Sequence, residues 1–242
     1  SAISLAHPER MLKEFVIFFL YVFFDLLFTY ARDRVWYFPL SSWISAYILG
    51  IVALPDPAWW IVVVLPLLAV ISKQMLKFGK MRHVFNPAAF ALAIVSFFVP
   101  AVSWWAVAWG SSVFWIVVVA GLFILWRQNR FHVAVPFLLS YAVFLSVLFL
   151  VNGISVSQLL QFLRPQILDG TTLFFATVML IEPLTSTFPG QRARSIYGIL
   201  VGFFAVLVTY MGQFFPDIGD PLIIGLLLGN FAAGMIFLPT RK

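Results

Sequence analysis

The feature that most limits what this chain can become is its succession of apolar runs, each close to the length of a membrane crossing and parted by short polar stretches. A helix needs about 20 apolar residues to cross a hydrocarbon core of roughly 30 Å. Hydrocarbon offers no partner to a loose backbone, so such runs must fold as helices. They fall near 15–31, 41–54, 58–76, 86–99, 104–126, 131–152, 170–183, 195–215 and 221–239. The expectation is an all-α, polytopic membrane bundle of about nine transmembrane or half-helices, forming a single transmembrane domain over 1–242. At 1.5 Å per residue the runs 41–54, 86–99 and 170–183 reach only about 21 Å, so half-helices or broken helices are expected there. With 63% hydrophobic and 10% charged residues, an ordinary soluble domain is excluded.

The net charge of +6 sits in loops between apolar runs and not on a folded face, so nucleic acid is not expected as a partner. The basic stretches are Arg32 with Arg34, Lys73 to Arg82, Arg127 with Arg130, Arg192 with Arg194, and Arg241 with Lys242. Strict alternation of the runs puts all of these on one side. By the positive-inside rule that side is cytoplasmic, with a cytoplasmic C-terminus and an N-terminus outside. Ser1 to Leu5 show no charged region leading to a cleavage site, so no signal peptide is expected, and the chain reads as a piece of something longer. The absence of cysteine removes thiolate metal sites, and three histidines, His7, His83 and His132, are too few for paired haem ligands. No metal site is expected.

Two features recur across the chain. Ser41-Ser42 opens one apolar run and Thr171-Thr172 another; Asn86-Pro87 opens a later run in the first half and Asp220-Pro221 one in the second. Each Asn/Asp-Pro is a helix start, a capping side chain followed by a ring that suits the first helical position. The copies, 41–99 and 170–239, run in opposite directions in this topology. That is the signature of an inverted repeat, with a site expected between the copies.

Ionisable groups inside a bilayer are costly and usually have work to do, which singles out Asp25, Asp169, Glu182 and Lys73. Glu182 lies in IEPLTSTFPG, where Pro183 breaks the helix and Thr185, Ser186 and Thr187 supply hydroxyls for the freed carbonyls. The alternative is a helix end with Glu182 exposed or paired to Arg192 or Arg194. In the first half, Lys73, Lys77, Lys80 and Arg82 precede the Asn86 helix start, whose free amides could take an anion. The alternative for the lysines is a loop lying on anionic headgroups. His83 reads either as a proton carrier or as a structural hydrogen-bonding group, and Asp169 with Gly170 reads equally as a cap and turn before Thr171. Asp25 faces either the bundle or lipid.

The stretches SKQMLKFGKMRHVFNPAAFALAI and LFFATVMLIEPLTSTFPGQRARSIYGILVG, followed by DPLIIGLLLGNFAAG, resemble the NqrB/RnfD family. These are membrane subunits of the sodium-pumping NADH:quinone oxidoreductase and of the Rnf electron transport complex. The likeness covers about residues 41–239 and looks closest to a short branch joined to a soluble flavin and NAD(P)H reductase domain, one that would be missing from this chain. It implies a bacterial or archaeal cytoplasmic membrane, a flavin (FMN, riboflavin or FAD), and a membrane flavoprotein domain forming the electron-transfer part of an oxidoreductase. The family's covalent attachment motif, Ser-Gly-Ala-Thr, is absent here; Asp169, Gly170, Thr171 and Thr172 stand as a faint echo, so a non-covalent flavin is expected. The cofactor-binding residues carried over or read from position are Lys73, Arg82, His83, Asn86, Pro87, Asp169, Thr171, Thr172, Glu182, Pro183, Thr185 and Ser186.

The expected function is electron passage from a cytoplasmic NAD(P)H- or ferredoxin-linked reductase, through flavin, to an acceptor in or across the membrane, a quinone being one candidate. No strand, glycine-rich turn and helix fingerprint for NAD(P)H occurs, so donor binding is expected on a cytoplasmic reductase domain or subunit. The rival is an inverted-repeat transporter or channel for a small solute or ion, which needs no chromophore. Membrane lipid is a partner under either reading.

Overall fold

The computed structural model describes residues 8–37, 39–78, 82–107 and 111–237. His7, Lys80, Arg241 and Lys242 lie outside them, as do Ser1 to Leu5 and the side chain of Arg82. The chain divides into two compact units, Ser1–Ala106 and Val107–Lys242.

The first unit holds α1 (Pro8–Asp33), α2 (Leu40–Val52), α3 (Trp59–Met75) and α4 (Pro87–Ser96), with strands β1 (Lys77–Phe78) and β2 (Arg82–His83) between the last two helices. Contacts fix the directions. Lys13 meets Asp56 while Asp25 meets Lys73, so α1 and α3 run parallel; α2 returns between them, with Ser42 beside Asp25. The strands form a tight antiparallel hairpin, Lys77 opposite His83 and Phe78 opposite Arg82, that turns the chain from α3 into α4. No period-two pattern announces so short a pairing.

The second unit holds α5 (Ser111–Gln128), α6 (Phe131–Val151), α7 (Val156–Ile167), α8 (Gly170–Phe174) running into a π-helical segment (Phe175–Met179), α9 (Pro183–Ser186), α10 (Gly190–Met211) and α11 (Pro221–Phe237). Against α6, a Cβ on Gly198 would come within 2.4 Å of the Val133 carbonyl oxygen and one on Gly202 within 2.3 Å of Ser140 Oγ, and one on Gly225 would come within 2.7 Å of the Ala205 Cα and N. Glycine is what lets α6, α10 and α11 approach this closely, as small residues do between membrane helices.

Among the described residues nine helical stretches match the nine apolar runs, and the short ones are short: α2 has 13 residues and α4 has 10. The run 15–31 is already helical at Pro8, seven residues early, and three further expectations need correction. In the run 104–126 the described helix is Ser111–Gln128, and 101–106 folds back to cap α2: Leu54 N donates to Ala101 O (3.1 Å) and Ser103 N to Val52 O (3.0 Å). The run 195–215 starts five residues early, since the Gly190–Arg194 turn is already helical. The third is α7, between the sixth and seventh runs, with none of its residues buried. Val156, Leu159, Leu160, Leu163 and Ile167 fall on one helical face and Ser157, Gln158, Gln161 and Arg164 elsewhere, a spacing legible in the sequence at only 12 residues.

The exterior is apolar. Trp115, Ile116, Val119, Phe123 and Trp126 on α5, and Val135, Leu139, Val143 and Val147 on α6, all point outward and exposed. A water-soluble monomer does not present continuous faces of this kind, and hydrocarbon is the solvent they suit. Among the described residues α6 and α10 are each long and apolar enough to cross a membrane alone.

Candidate functional site

In the first unit the polar groups converge on one carboxylate. Asp25, on the inner face of α1, is fully buried, and the expectation that it faces either bundle or lipid resolves to the bundle. Its Oδ2 accepts from Lys73 Nζ at 3.0 Å and Ser42 Oγ at 2.5 Å, and from the Tyr37 hydroxyl; its Oδ1 accepts from Gln74 Nε2 at 2.6 Å. Lys73, only 6% exposed, also donates to Ser42 Oγ (2.7 Å) and Ser41 Oγ (3.0 Å). An ammonium has three protons to give, and these three partners take them all. Gln74 reaches on to Thr29 at 3.1 Å and receives Arg32 at 2.8 Å, which carries the network out to the polar end of α1. Burial, then the Asp25 carboxylate, push the Tyr37 phenol up to about 12, so it stays a donor.

Such a pair is costly to bring out of water. Inside an apolar bundle it holds only because the lone pairs and protons left over are all satisfied. Ser41, Ser42, Tyr37, Gln74 and Thr29 are members of this network that sequence reasoning did not assign to it. The signal for Ser41-Ser42 was present, as the polar opening of a helix, but its partner lies about thirty residues on.

Beyond the hairpin, Asn86 caps α4 with its Oδ1 accepting from Ala89 N at 3.0 Å, and Pro87 takes the first helical position. Asp220 does the same for α11, accepting from Leu222 N (2.9 Å) and Ile223 N (3.0 Å). Both Asn/Asp-Pro helix starts therefore stand as expected. His83 is buried within the hairpin, and burial, with the charges of Lys73 and Lys77 adding to it, pushes its imidazole down to about 4. It is neutral at physiological pH.

In the second unit the helix breaks where the sequence places the break. Asp169 caps α8, its Oδ2 accepting from Thr171 N at 2.9 Å, so its cap-and-turn role is realised. Thr172 is buried with its hydroxyl donating to Gln166 O (2.7 Å). The π segment follows, with Leu180 N bonded back to Phe175 O at 2.9 Å, a local widening often found at functional places in helices. Pro183 then ends the run, and the hydroxyls do the repair expected of them: Ser186 Oγ donates to Glu182 O at 2.7 Å, Thr187 Oγ1 to Pro183 O, and Thr185 Oγ1 to both Glu182 O (3.3 Å) and Glu182 Oε2 (3.2 Å). Arg194 turns to Phe188 O and His132, away from the carboxylate that the alternative reading offered it. Behind the break, the Tyr197 hydroxyl lies 2.7 Å from Asn230 Oδ1 and 3.3 Å from Leu180 O. Asn230 is 2% exposed and its Nδ2 has no hydrogen-bond partner among the described residues.

Of the twelve expected cofactor residues, Lys73, His83, Asn86 and Pro87 are placed in the first unit with the backbone of Arg82, and Asp169, Thr171, Thr172, Glu182, Pro183, Thr185 and Ser186 in the second. Two apolar grooves of about 260 Å³, one against α1 and α2 at Phe15, Phe18 and Tyr47, the other against α6 and α10 at Phe144, Val147 and Phe203, are lined by none of them.

No protein-family model matches the sequence. The chain is similar to a protein of Cellvibrio japonicus (strain Ueda107) that is named as a subunit of an ion-translocating oxidoreductase complex, with 24% identity across 88% of this chain and 77% of that protein.

Proposed function

We propose that this chain is a membrane subunit of an ion-translocating oxidoreductase complex of the RnfD and NqrB kind, which passes electrons through a non-covalently held flavin from a cytoplasmic reductase to an acceptor in or across the membrane. The observation that carries the reading is the similarity, along nearly the whole chain, to a protein bearing such a name. The quoted motifs of both halves take the form of capped helix starts and a proline-broken helix. The apolar exterior supports integration into a membrane, here a bacterial or archaeal cytoplasmic membrane crossed about nine times with the C-terminus inside. The paired caps at Asn86 and Asp220 support the inverted repeat of 41–99 and 170–239.

A flavin ring is flat and mostly apolar, with a polar edge that calls for a few donors and acceptors. The second unit has a suitable group to give: Asn230 Nδ2, buried beside Tyr197 and without a partner among the described residues. With the Thr172 hydroxyl given to Gln166 O, attachment through that side chain would cost a buried hydrogen bond, which favours non-covalent holding. The flavin would supply the electron-carrying chemistry, and the protein binding, orientation and electrostatics. Lys73 has no proton left to offer a ligand, so its part would be the field of a fixed, paired charge. Asn86 and Asp169 would hold helix starts in place, and Glu182, Thr185 and Ser186 would set the shape of the break. The reductase would dock on the basic segments, and a quinone would be a fitting acceptor.

One observation favours a second reading. A sealed carboxylate–ammonium pair such as Asp25 and Lys73 is also what a solute or ion transporter places in its bundle. The two readings part on colour. The protein purified in mild detergent should show a band near about 450 nm that dithionite bleaches and that denaturation releases, if a flavin carries the chemistry. A preparation that is colourless and stays so when FMN, riboflavin or FAD is added gives the transporter reading the field.

A further inference from the structure

The turn that follows the broken helix of the second unit gathers two guanidinium groups with no carboxylate among the described residues to neutralise them. Arg130 sits at the junction of α5 and α6, its N–H bonded to Leu125 O (2.9 Å) and its carbonyl accepting from Val133 N (2.9 Å), so its backbone has little freedom. Its side chain, 8% exposed, donates to Ser186 O (3.3 Å) and Thr187 Oγ1 (2.8 Å). Arg194, half-buried in the first turns of α10, donates from Nε to Phe188 O (2.9 Å), with Nη1 3.3 Å from His132 Nε2. Arginine can only donate, so His132 accepts there and is a neutral imidazole carrying its proton on Nδ1. Ser195 Oγ, bonded to His132 O at 2.9 Å, helps keep the ring in place.

Two positive charges thus meet on the three-residue stretch Ser186–Phe188, and every partner they have among the described residues is neutral. The ion pairs of the described residues, Lys13 with Asp56, Arg32 with Asp33 and Lys73 with Asp25, all belong to the first unit. On the same segment, the Glu182 carboxylate accepts from Thr185. Burial, with the neighbouring charge of Arg194 next, lowers the proton affinity of Arg130. Arginines that merely mark the cytoplasmic side stay in water, as the exposed Arg127 and Arg192 do. Arg130 departs from that pattern, and a guanidinium taken out of water without a counter-charge is destabilising.

Most of the donors on each guanidinium remain uncommitted, and they form the fork that matches a phosphate. The start of α10 adds amides, since Pro189 provides no side-chain cap. Trp126, Phe131, Leu184 and Ile196, all exposed and apolar, lie on the segments that carry the two arginines, as acyl chains beneath a headgroup would require.

We propose that Arg130 and Arg194, with the first turn of α10, bind a phosphate-bearing anion, either the headgroup of an anionic phospholipid or free phosphate. The site stands apart from the flavin reading and does not need it.

The test uses the whole chain in phosphate-free mild detergent, with thermal melting followed as phosphatidylglycerol, phosphatidylcholine or inorganic phosphate is added, and with visible absorbance read on the same samples. Phosphatidylglycerol should raise the Tm of wild type and of Arg127→Gln by several degrees, and phosphatidylcholine should not. In Arg194→Gln, a half-exposed position that should fold without it, the response should need at least tenfold more lipid; Arg194→Lys should recover part of it. A rise with inorganic phosphate showing the same dependence on Arg194 would name free phosphate as the source. No rise with any of the three, or an equal rise in wild type and Arg194→Gln, overturns the site. Colour retained or absent in these samples bears on the flavin alone.

Discussion

The two units handle polar groups in an apolar bundle in opposite ways. In the first, a carboxylate and an ammonium are sealed together, and every proton and lone pair around them is spoken for by Ser41, Ser42, Tyr37 and Gln74. In the second, the interior polar groups are neutral, Thr172, Thr177, Ser140 and Asn230 among them, and the charge is held at the helix ends as two arginines against carbonyls. The first arrangement is self-sufficient. It binds three helices to one another and has no capacity left for a ligand. Among the described residues the second leaves the Asn230 amide unpartnered and two cations without a carboxylate, while the first leaves only neutral groups such as the Ser72 hydroxyl in that position. The contrast therefore lies in charge, neutralised in the first unit and held against neutral partners in the second.

The largest effect should come from breaking the sealed pair. Lys73→Met strands a buried carboxylate at a cost of about 3–5 kcal/mol, which should appear as a large fall in Tm; Asp25→Asn with Lys73→Met should restore more than half of it. A single variant that melts like wild type would show that the pair is not what holds α1 and α3. Next is the seam of the second unit. Gly225→Ala puts a Cβ 2.7 Å from the Ala205 backbone, where nothing flexible can yield, and should cost about 1–3 kcal/mol by overpacking.

A pH titration sharpens the comparison further, because among the described residues only the first unit has a buried histidine beside its network. His83 binds its proton near pH 4 when folded against 6.5 when unfolded. The unfolded chain therefore takes up the proton first as the pH falls. The stability tied to its neutral form is complete above about 6.5 and is lost towards 4. Tm should drop by a few degrees across that window in wild type and stay flatter in His83→Phe; parallel curves would assign the acid sensitivity elsewhere. The smallest effect is a gain. Gly50, inside α2, has open space where a Cβ would stand, so Gly50→Ala should add about 0.5–1 kcal/mol, whereas the same substitution at the crowded Gly202 should lower the Tm.

Much of the fold was legible because lipid makes the rules strict. A long apolar run can only be a helix, and Asn86-Pro87 and Asp220-Pro221 state their own beginnings by local chemistry. The repair of the break at Pro183 by Thr185, Ser186 and Thr187 was legible too, since donor and acceptor lie within four residues. What could not be read was anything that depends on which helix lies beside which. Asp25 and Lys73 each stood out as an ion in the wrong place, but their pairing is a fact of packing. Ser41 and Ser42 stand out as the polar opening of a helix, but that they also accept from Lys73 is again a fact of packing. Arg130 looked like one more cytoplasmic charge, since nothing in a loop's composition tells that its side chain will fold inward. The hairpin at Lys77–His83 is too short for periodicity to declare it, whereas the amphipathic spacing of Val156–Ile167 is present in the sequence but stands between two longer apolar runs.

The sealed pair also has a history within each molecule. Asp25 leaves the ribosome 48 residues ahead of Lys73, and at 5–20 residues per second that is a wait of about 2–10 s. Through that interval the first helix carries a carboxylate whose partner ammonium, that of Lys73, has not yet been made. It can rest at the membrane surface or beside the insertion machinery, but it gains a stable place in the bilayer only when the third helix arrives. The unit is thus assembled as a set of three helices, and the residue that closes the set is Lys73.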